Sequence, residues 1–175
     1  MTAPRRIGLA WLSAATRDEF VAALGGIFEH TPWIAGRAYA AQPFASIDAL
    51  HRAMVDALAA ATPEAKLALI RAHPELAGKE AATGTLTIDS RGEQSSAGLD
   101  RCTADELARL RDGNLAYREK FGFPFVMAVK HRSTREILDA LQARLAGTRE
   151  AEFERSIAEI ETIARLRLAA LFGES

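Results

Sequence analysis

Apolar residues recur at intervals of three and four along almost the whole chain, and the strict alternation typical of half-buried strands is nearly absent. The spacing of Leu50, Met54 and Leu58 is one example of a helix face. The pattern predicts an all-α, single-domain bundle of about seven or eight helices. Their expected positions are roughly 16–24, 32–41, 46–61, 63–73, 95–101, 104–120, 134–146 and 149–172.

Polar residues mark where several of these helices begin. Thr31-Pro32 and Thr62-Pro63 each place a capping hydroxyl before a proline at the first helical position. Thr103 is followed three residues later by Glu106, which predicts a capping box.

Two segments do not fit the helical pattern. Residues 78–94 contain three glycines and a β-prone run, Thr85–Ile88, and we expect a loop there. Residues 122–130 are apolar and contain a proline, which favours an extended, buried connector. Because irregular segments held by rigid helices often carry function, both are candidate site regions.

An arginine interrupts the apolar face of the last helix. That face runs through Phe153, Ile157, Ile160, Ala164, Arg167 and Leu171. A buried guanidinium keeps its charge and is costly to desolvate unless an anion meets it. Arg167 therefore pairs either with a carboxylate of the protein, for which Glu93 is a candidate, or with a small anionic ligand.

Other polar groups gather at the edges of the first irregular segment. Pro74 pushes His73 out of helical geometry, so its imidazole either leans into a site or interacts with the carbonyl end of its helix. Ser90, Glu93 and Gln94 offer a hydroxyl, a carboxylate and a carboxamide that suit a polyfunctional ligand. An ordinary surface loop would have the same composition.

Composition excludes several classes of function. The formal net charge is −1, from 22 basic and 23 acidic residues, so we expect neither nucleic acid nor an anionic membrane as a partner. Cys102 is the only cysteine, and it reads as a small core residue, although Arg101 beside it could lower its pKa. No metal-ligand spacing and no nucleotide-binding motif occurs, and a cytoplasmic setting is the default expectation.

Six segments together resemble 2-oxo-4-hydroxy-4-carboxy-5-ureidoimidazoline (OHCU) decarboxylase, the last enzyme of the route from urate to allantoin. In chain order they are FEHTPW at 28–33, PFAS at 43–46, LALIRAHPELAGK at 67–79, SRGEQSSAGL at 90–99, NLAYREKFGFPFVMAV at 114–129 and ETIARLRL at 161–168. The resemblance covers residues 7–172 and implies one domain over 1–175. It also implies an all-α, cofactor-free, commonly dimeric enzyme.

The resemblance implies roles for particular residues. His73 would be the catalytic histidine and would supply the proton that replaces CO2. The substrate would be bound by Pro74, Ser90, Glu93, Gln94, Phe125, Val126, Met127, Ala128, Val129 and Arg167. The basic run at 130–132 departs from the glycine-containing turn expected there.

The implied reaction is cofactor-independent decarboxylation of OHCU to (S)-allantoin. Two other interpretations remain open on the residues alone. One is a helical interaction module in which Arg167 belongs to a structural ion pair. The other is a different ureide lyase or hydrolase on the same scaffold.

Overall fold

The computed structural model describes residues 7–174; residues 1–6 and 175, which belong to the predicted domain, lie outside the described part. The described residues form ten α-helices and two short 3-10 helices and contain no strand, which confirms the all-α prediction. The helices are α1 Leu9–Ala14, α2 Arg17–Leu24, α3 Pro32–Ala38, α4 Ile47–Ala59, α5 Pro63–Ala72, α6 Lys79–Thr83, α7 Ile88–Ser96, α8 Ala104–Phe121, α9 Thr134–Arg144 and α10 Arg149–Phe172. The 3-10 helices span Tyr39–Ala41 and Leu99–Arg101.

The predicted helix starts at Thr62-Pro63 and Thr103 are confirmed, whereas the capping hydroxyl predicted at Thr31 is wrong: α3 begins at Pro32, but the Thr31 hydroxyl donates to the carbonyls of Phe28 and Glu29 and caps no N–H. The Thr103 hydroxyl accepts a hydrogen bond from the backbone N–H of Glu106, and the Glu106 carboxylate accepts one from the backbone N–H of Thr103. Thr62 caps α5 by accepting from the N–H of Ala65, just before Pro63 at the first position. Each cap satisfies a backbone donor that the helix itself leaves without an intrahelical partner.

The expected loop over 78–94 is wrong, because most of this segment is helical. It forms α6 and the first seven residues of α7, and the β-prone run is a short link whose last residue, Ile88, opens α7. The expected helix over 95–101 is wrong as well, since α7 ends at Ser96 and only a 3-10 turn follows. The signal for α7 is the Thr87 hydroxyl, which accepts from the N–H of Ser90.

Residues 122–130 form the predicted extended connector. Gly122 adopts a φ of 81°, a left-handed conformation that ends α8 at little steric cost. The side chains of Phe123, Phe125 and Val126 are buried. The connector thus runs through the interior of its part of the protein without regular secondary structure.

The chain divides into two compact units, with the boundaries inside α5 and α10. The first contains the described residues 7–69 and 161–174. Its core includes fully buried side chains on several helices, namely Leu12, Phe20, Leu24, Ile34, Leu50, Met54 and Leu58. This burial explains the spacing noted on α4.

The second unit spans residues 70–160. An aromatic cluster forms much of its core, with Tyr117 in edge contact with Phe121 at 4.5 Å and with Phe125 at 5.3 Å between ring centroids. Such edge-to-face pairs stabilise a core beyond the effect of their buried area. The cluster packs the connector against α8.

Among the described helices, none is long and apolar enough to span a bilayer.

Candidate active site

His73 lies immediately beyond the last residue of α5. Its backbone N–H still donates to the carbonyl of Ile70 at 3.2 Å, but Pro74 cannot continue the helix. The imidazole is 7% exposed. The end of α5 therefore presents a buried histidine at the start of an irregular turn; its departure from helical geometry is as predicted, whereas its burial was not predicted.

The turn after His73 is fastened by two amide side chains. Gln94 on α7 accepts from the N–H of Ala77 at 2.9 Å, and Asn114 on α8 donates to the carbonyl of Leu76 at 2.9 Å. Ala77 has a φ of 50°, which an alanine adopts only when its surroundings hold it there. These bonds fix the chain that follows the histidine.

Ser90, Glu93 and Gln94 share one face because they lie on a helix. Ser90 lies three residues before Glu93 and four before Gln94, so its side chain neighbours both of theirs on one side of α7. Ser90 and Gln94 are buried, and Glu93 is partly exposed. The helical backbone holds these three polar side chains in fixed relative positions, which a flexible loop would not do.

The segment Phe125–Val129 is held by side chains from the two helices that follow it. The Arg144 guanidinium on α9 donates to the carbonyl of Val126 at 2.8 Å, and the Glu159 carboxylate on α10 accepts from the N–H of Ala128 at 2.9 Å. Met127 and Ala128 are partly exposed, whereas their neighbours on either side are buried. The site residues predicted here therefore lie on an extended segment that side chains of α9 and α10 hold in place.

Arg144 belongs to a buried polar cluster. Its Nε donates to Glu152 at 2.7 Å and its Nη2 donates to the Tyr117 hydroxyl at 3.2 Å. The Tyr117 hydroxyl in turn donates to Glu152. Burial, followed by the bond to Glu152, raises the pKa of Tyr117 to about 12, so the phenol stays protonated at neutral pH.

Arg167 lies in the first unit and meets a carboxylate there. Its Nη1 donates to Glu29 at 2.8 Å, and only 4% of the Arg167 side chain and 2% of the Glu29 side chain are exposed. The predicted stripe is buried at Ile157, Ile160 and Ala164, and its two end residues, Phe153 and Leu171, are partly exposed. Glu29 is the internal carboxylate that the sequence could not identify.

Cys102 is partly exposed, so the expectation of a core residue is wrong. The pKa of its thiol is raised: burial is the largest cause, the hydrogen bond with Thr134 acts in the opposite direction, and the nearby Glu106 and Asp100 carboxylates raise it further. The suggestion that Arg101 lowers this pKa is therefore wrong. Over residues 7–174, no group of three or more His, Cys, Asp or Glu side chains is arranged to hold a metal ion.

A family comparison accounts for most of the chain. Residues 13–169 match the family model described as OHCU decarboxylase. The chain belongs to the OHCU decarboxylase family. A relative named 2-oxo-4-hydroxy-4-carboxy-5-ureidoimidazoline decarboxylase, from Halalkalicoccus jeotgali, is 40% identical over 166 residues, which are 95% of this chain and 92% of that protein.

Solved structures of related proteins have the same fold as this family member. A crystal structure of (S)-allantoin synthase superposes with a TM-score of 0.74 at 28% identity and covers 94% of this chain; the chain spans 54% of that protein. OHCU decarboxylase crystallised in the presence of (S)-allantoin gives a TM-score of 0.68 at 26% identity, covering 89% of this chain and 98% of the other.

The sequence did not reveal the residues that brace the candidate site of this OHCU decarboxylase family member. Asn114, Arg144 and Glu159 each bond to the backbone of a segment predicted to carry function. Glu152 and Ser156 could have been found, because they are buried on the same α10 face that drew attention to Arg167. The others lie among ordinary polar positions of amphipathic helices and give no such signal.

Proposed function

We propose that this protein decarboxylates OHCU to (S)-allantoin without a cofactor, as a step of urate degradation. Membership of the OHCU decarboxylase family is the observation that carries the proposal. The buried histidine at the end of α5 and the ordered polar face of α7 supply chemistry that suits it.

The proposed reaction breaks the bond between a ring carbon and its carboxylate. The electron pair passes into the adjacent unsaturated C–N unit of the ring, so the substrate itself accepts it. A proton is then added to the ring from one face, which sets the handedness of the product. We assign this proton delivery to His73. Histidine suits the role because its side chain ordinarily gains and loses a proton near neutral pH.

The remaining predicted residues would bind and orient the ring. Glu93 and Gln94 would meet the ureido group, and Ser90 would add a hydroxyl donor. Gln94 also braces the turn at Ala77, so part of its effect would be indirect. Pro74 and the segment Phe125–Val129 would shape the cavity and exclude water.

Arg167 would contribute a fixed positive charge. Its bond to Glu29 holds the guanidinium in one orientation. A planar, oriented guanidinium suits ring oxygens or the negative charge that develops as CO2 departs. The same bond also fits a purely structural role for Arg167. A substitution of Arg167 distinguishes this structural role from a role in substrate binding.

The decisive experiment generates OHCU in situ from urate and follows the circular dichroism of the allantoin formed. Because protonation of a planar intermediate in solution gives both mirror-image forms, only the catalysed reaction produces a lasting signal. We expect His73→Asn to remove the signal, with turnover reduced by about a hundredfold or more. Single-handed allantoin formed by His73→Asn at the parent rate would exclude His73 from proton delivery.

We further propose that residues 1–175 form one domain and that the protein acts as a cytoplasmic homodimer. One family model matches across both compact units, which supports a single domain. Light scattering of the purified chain tests the dimer, because a mass near twice 18.9 kDa is expected. Cell fractionation tests the location.

A further inference from the structure

Two side chains bond to the peptide groups on either side of Met127. Arg144 donates to the carbonyl oxygen of Val126, and Glu159 accepts from the N–H of Ala128. The Val126 carbonyl belongs to the same peptide group as the Met127 N–H, and the Ala128 N–H belongs to the same group as the Met127 carbonyl. Each bond therefore sets the plane of a peptide group whose other polar end is on Met127.

Peptide planarity fixes the consequence. In a trans peptide the C=O and N–H point in opposite directions. Since the Val126 carbonyl faces Arg144, the Met127 N–H points away from α9. Since the Ala128 N–H faces Glu159, the Met127 carbonyl points away from α10. Met127 lies in extended chain, and its side chain is partly exposed.

The charges on both partners strengthen these backbone groups. A guanidinium that pulls on a carbonyl makes the N–H at the other end of the same peptide a better donor, and a carboxylate that accepts from an N–H makes the attached carbonyl a better acceptor. Arg144 is also in contact with the Phe125 ring, with its guanidinium carbon 4.6 Å from the ring centroid. It thus holds both the backbone and a neighbouring side chain.

Arg144 is itself firmly placed. Glu152 accepts from its Nε and the Tyr117 hydroxyl accepts from its Nη2, with only 9% of the Arg144 side chain and 7% of the Glu152 side chain exposed. Glu159 is placed less rigidly, by Arg155 at 3.1 Å, and is 16% exposed. A buried charge pair costs desolvation energy. Its use here would be to specify one geometry of the connector.

We propose that Arg144 and Glu159 are positioning residues that orient and polarise the two Met127 backbone groups, so that these bind an N–H/C=O edge of the ureide substrate. The inference rests on the proposed function, since it requires that OHCU be the substrate. One donor and one acceptor on the same residue match a cyclic or open ureide, which offers the same pair in reverse. Because this edge of the substrate takes no part in bond breaking, the Met127 groups would bind it equally well in the ground state and in the transition state.

Such contacts act mainly on the Michaelis constant. Groups that bind ground state and transition state equally raise KM when lost and leave kcat nearly unchanged. We expect Arg144→Lys, which cannot reach Glu152 and Val126 with a planar pair of donors, to raise KM about tenfold. We expect Glu159→Ala to raise KM by about the same factor, with kcat within about threefold for both.

The conservative variant Glu159→Gln keeps a carbonyl oxygen that can accept from Ala128, so it should recover most of the loss seen with alanine. Arg135→Ala is the matched control, because Arg135 lies on the same helix as Arg144 with 90% of its side chain exposed. It should leave KM and kcat unchanged. Titration with (S)-allantoin, followed by thermal shift, should show weaker binding by a similar factor in Arg144→Lys and Glu159→Ala.

If Arg144→Lys does not fold, the double variant Arg144→Met with Glu152→Gln removes both charges and still deprives Val126 of its donor. Unchanged KM and unchanged allantoin binding in folded Glu159→Ala, or in either Arg144 variant, would overturn the inference. A lowered melting temperature with parent kinetics would overturn it too, since that is the signature of a structural pair. Failure of the parent protein to turn over OHCU would instead refute the proposed function.

Discussion

The most consequential single residue in the first unit is an arginine on an apolar helix face. Arg167 bonds to Glu29, which lies 138 positions away in the chain, and both are almost fully buried. Replacing one partner of a buried ion pair by a neutral residue strongly destabilises a protein, because the other charge stays buried without a counter-charge. The pair therefore orients the guanidinium whether or not a ligand also meets it.

A lysine at position 167 separates the two roles. Arg167→Lys keeps a positive charge beside Glu29 but loses the planar pair of donors, so we expect a folded protein whose turnover of OHCU falls about tenfold or more. Arg165→Lys is the control, because Arg165 lies on the same helix and pairs with Asp48 and Glu174 near the surface. Parent-like turnover by folded Arg167→Lys would assign Arg167 to structure alone.

Tyr117 predicts a dependence of stability on alkaline pH. Its folded-state pKa, about 12, lies above the ordinary value of 10.0, so the folded state keeps the proton that the unfolded state loses first. The raised pKa of Tyr117 therefore adds to the free energy of unfolding. This contribution is fully present below pH 10, and it is lost as pH rises towards 12. Between pH 9 and pH 11 the stability advantage of the parent over Tyr117→Phe should shrink by roughly 1 kcal/mol in urea unfolding. A constant difference across that range would contradict the raised pKa.

The prominence of Arg167 was visible in the sequence because a charge stands out against a run of apolar positions. The same reasoning applied to Glu152 and Ser156 would have revealed the second buried cluster. Their partners could not be inferred this way. Arg144 and Tyr117 meet Glu152 only because α8, α9 and α10 pack together, and spacing along one helix carries no information about a neighbour.

At the scale of elements, α7 shows how a helix can escape a pattern-based prediction. It is polar, short and contains Gly92, so it lacks the apolar stripe that normally indicates a helix. Its start is nevertheless encoded by the Thr87 hydroxyl, which caps the N–H of Ser90. The connector at 122–130 was easier to predict, because an apolar run that contains proline favours buried, extended chain.

Two glycines near α7 give opposite predictions. Gly92 lies inside the helix with open space where a side chain would go, so Gly92→Ala should raise the free energy of unfolding by about 0.5–1 kcal/mol. Gly84 also faces open space but has a φ of 71°, so Gly84→Ala should lower it by about 1 kcal/mol. Thermal or urea unfolding measures both. If Gly92→Ala destabilised the protein as much as Gly84→Ala, the helical assignment of 88–96 would be in error.

At the scale of the whole molecule, the division into two units differs from an ordinary domain boundary. Boundaries between independent domains usually fall in exposed, flexible linkers. Here one boundary lies between Leu69 and Ile70 inside α5, and the other between Ile160 and Glu161 inside α10. A helix that contributes its hydrogen-bond ladder to both units is hard to melt in one and keep in the other, because helix formation is cooperative.

The placement of tryptophan makes this testable without labels. Trp11 and Trp33 are the only tryptophans, and both lie in the first unit, whereas helices of both units contribute to far-ultraviolet circular dichroism. If the chain is one domain, fluorescence and circular dichroism should give the same midpoint and slope in urea. Met54→Ala in the first unit and Leu141→Ala in the second should each shift both curves together, because loss of either buried side chain costs about 2–5 kcal/mol. A fluorescence transition that Leu141→Ala leaves in place, while the dichroism curve splits, would mean that the two units unfold independently.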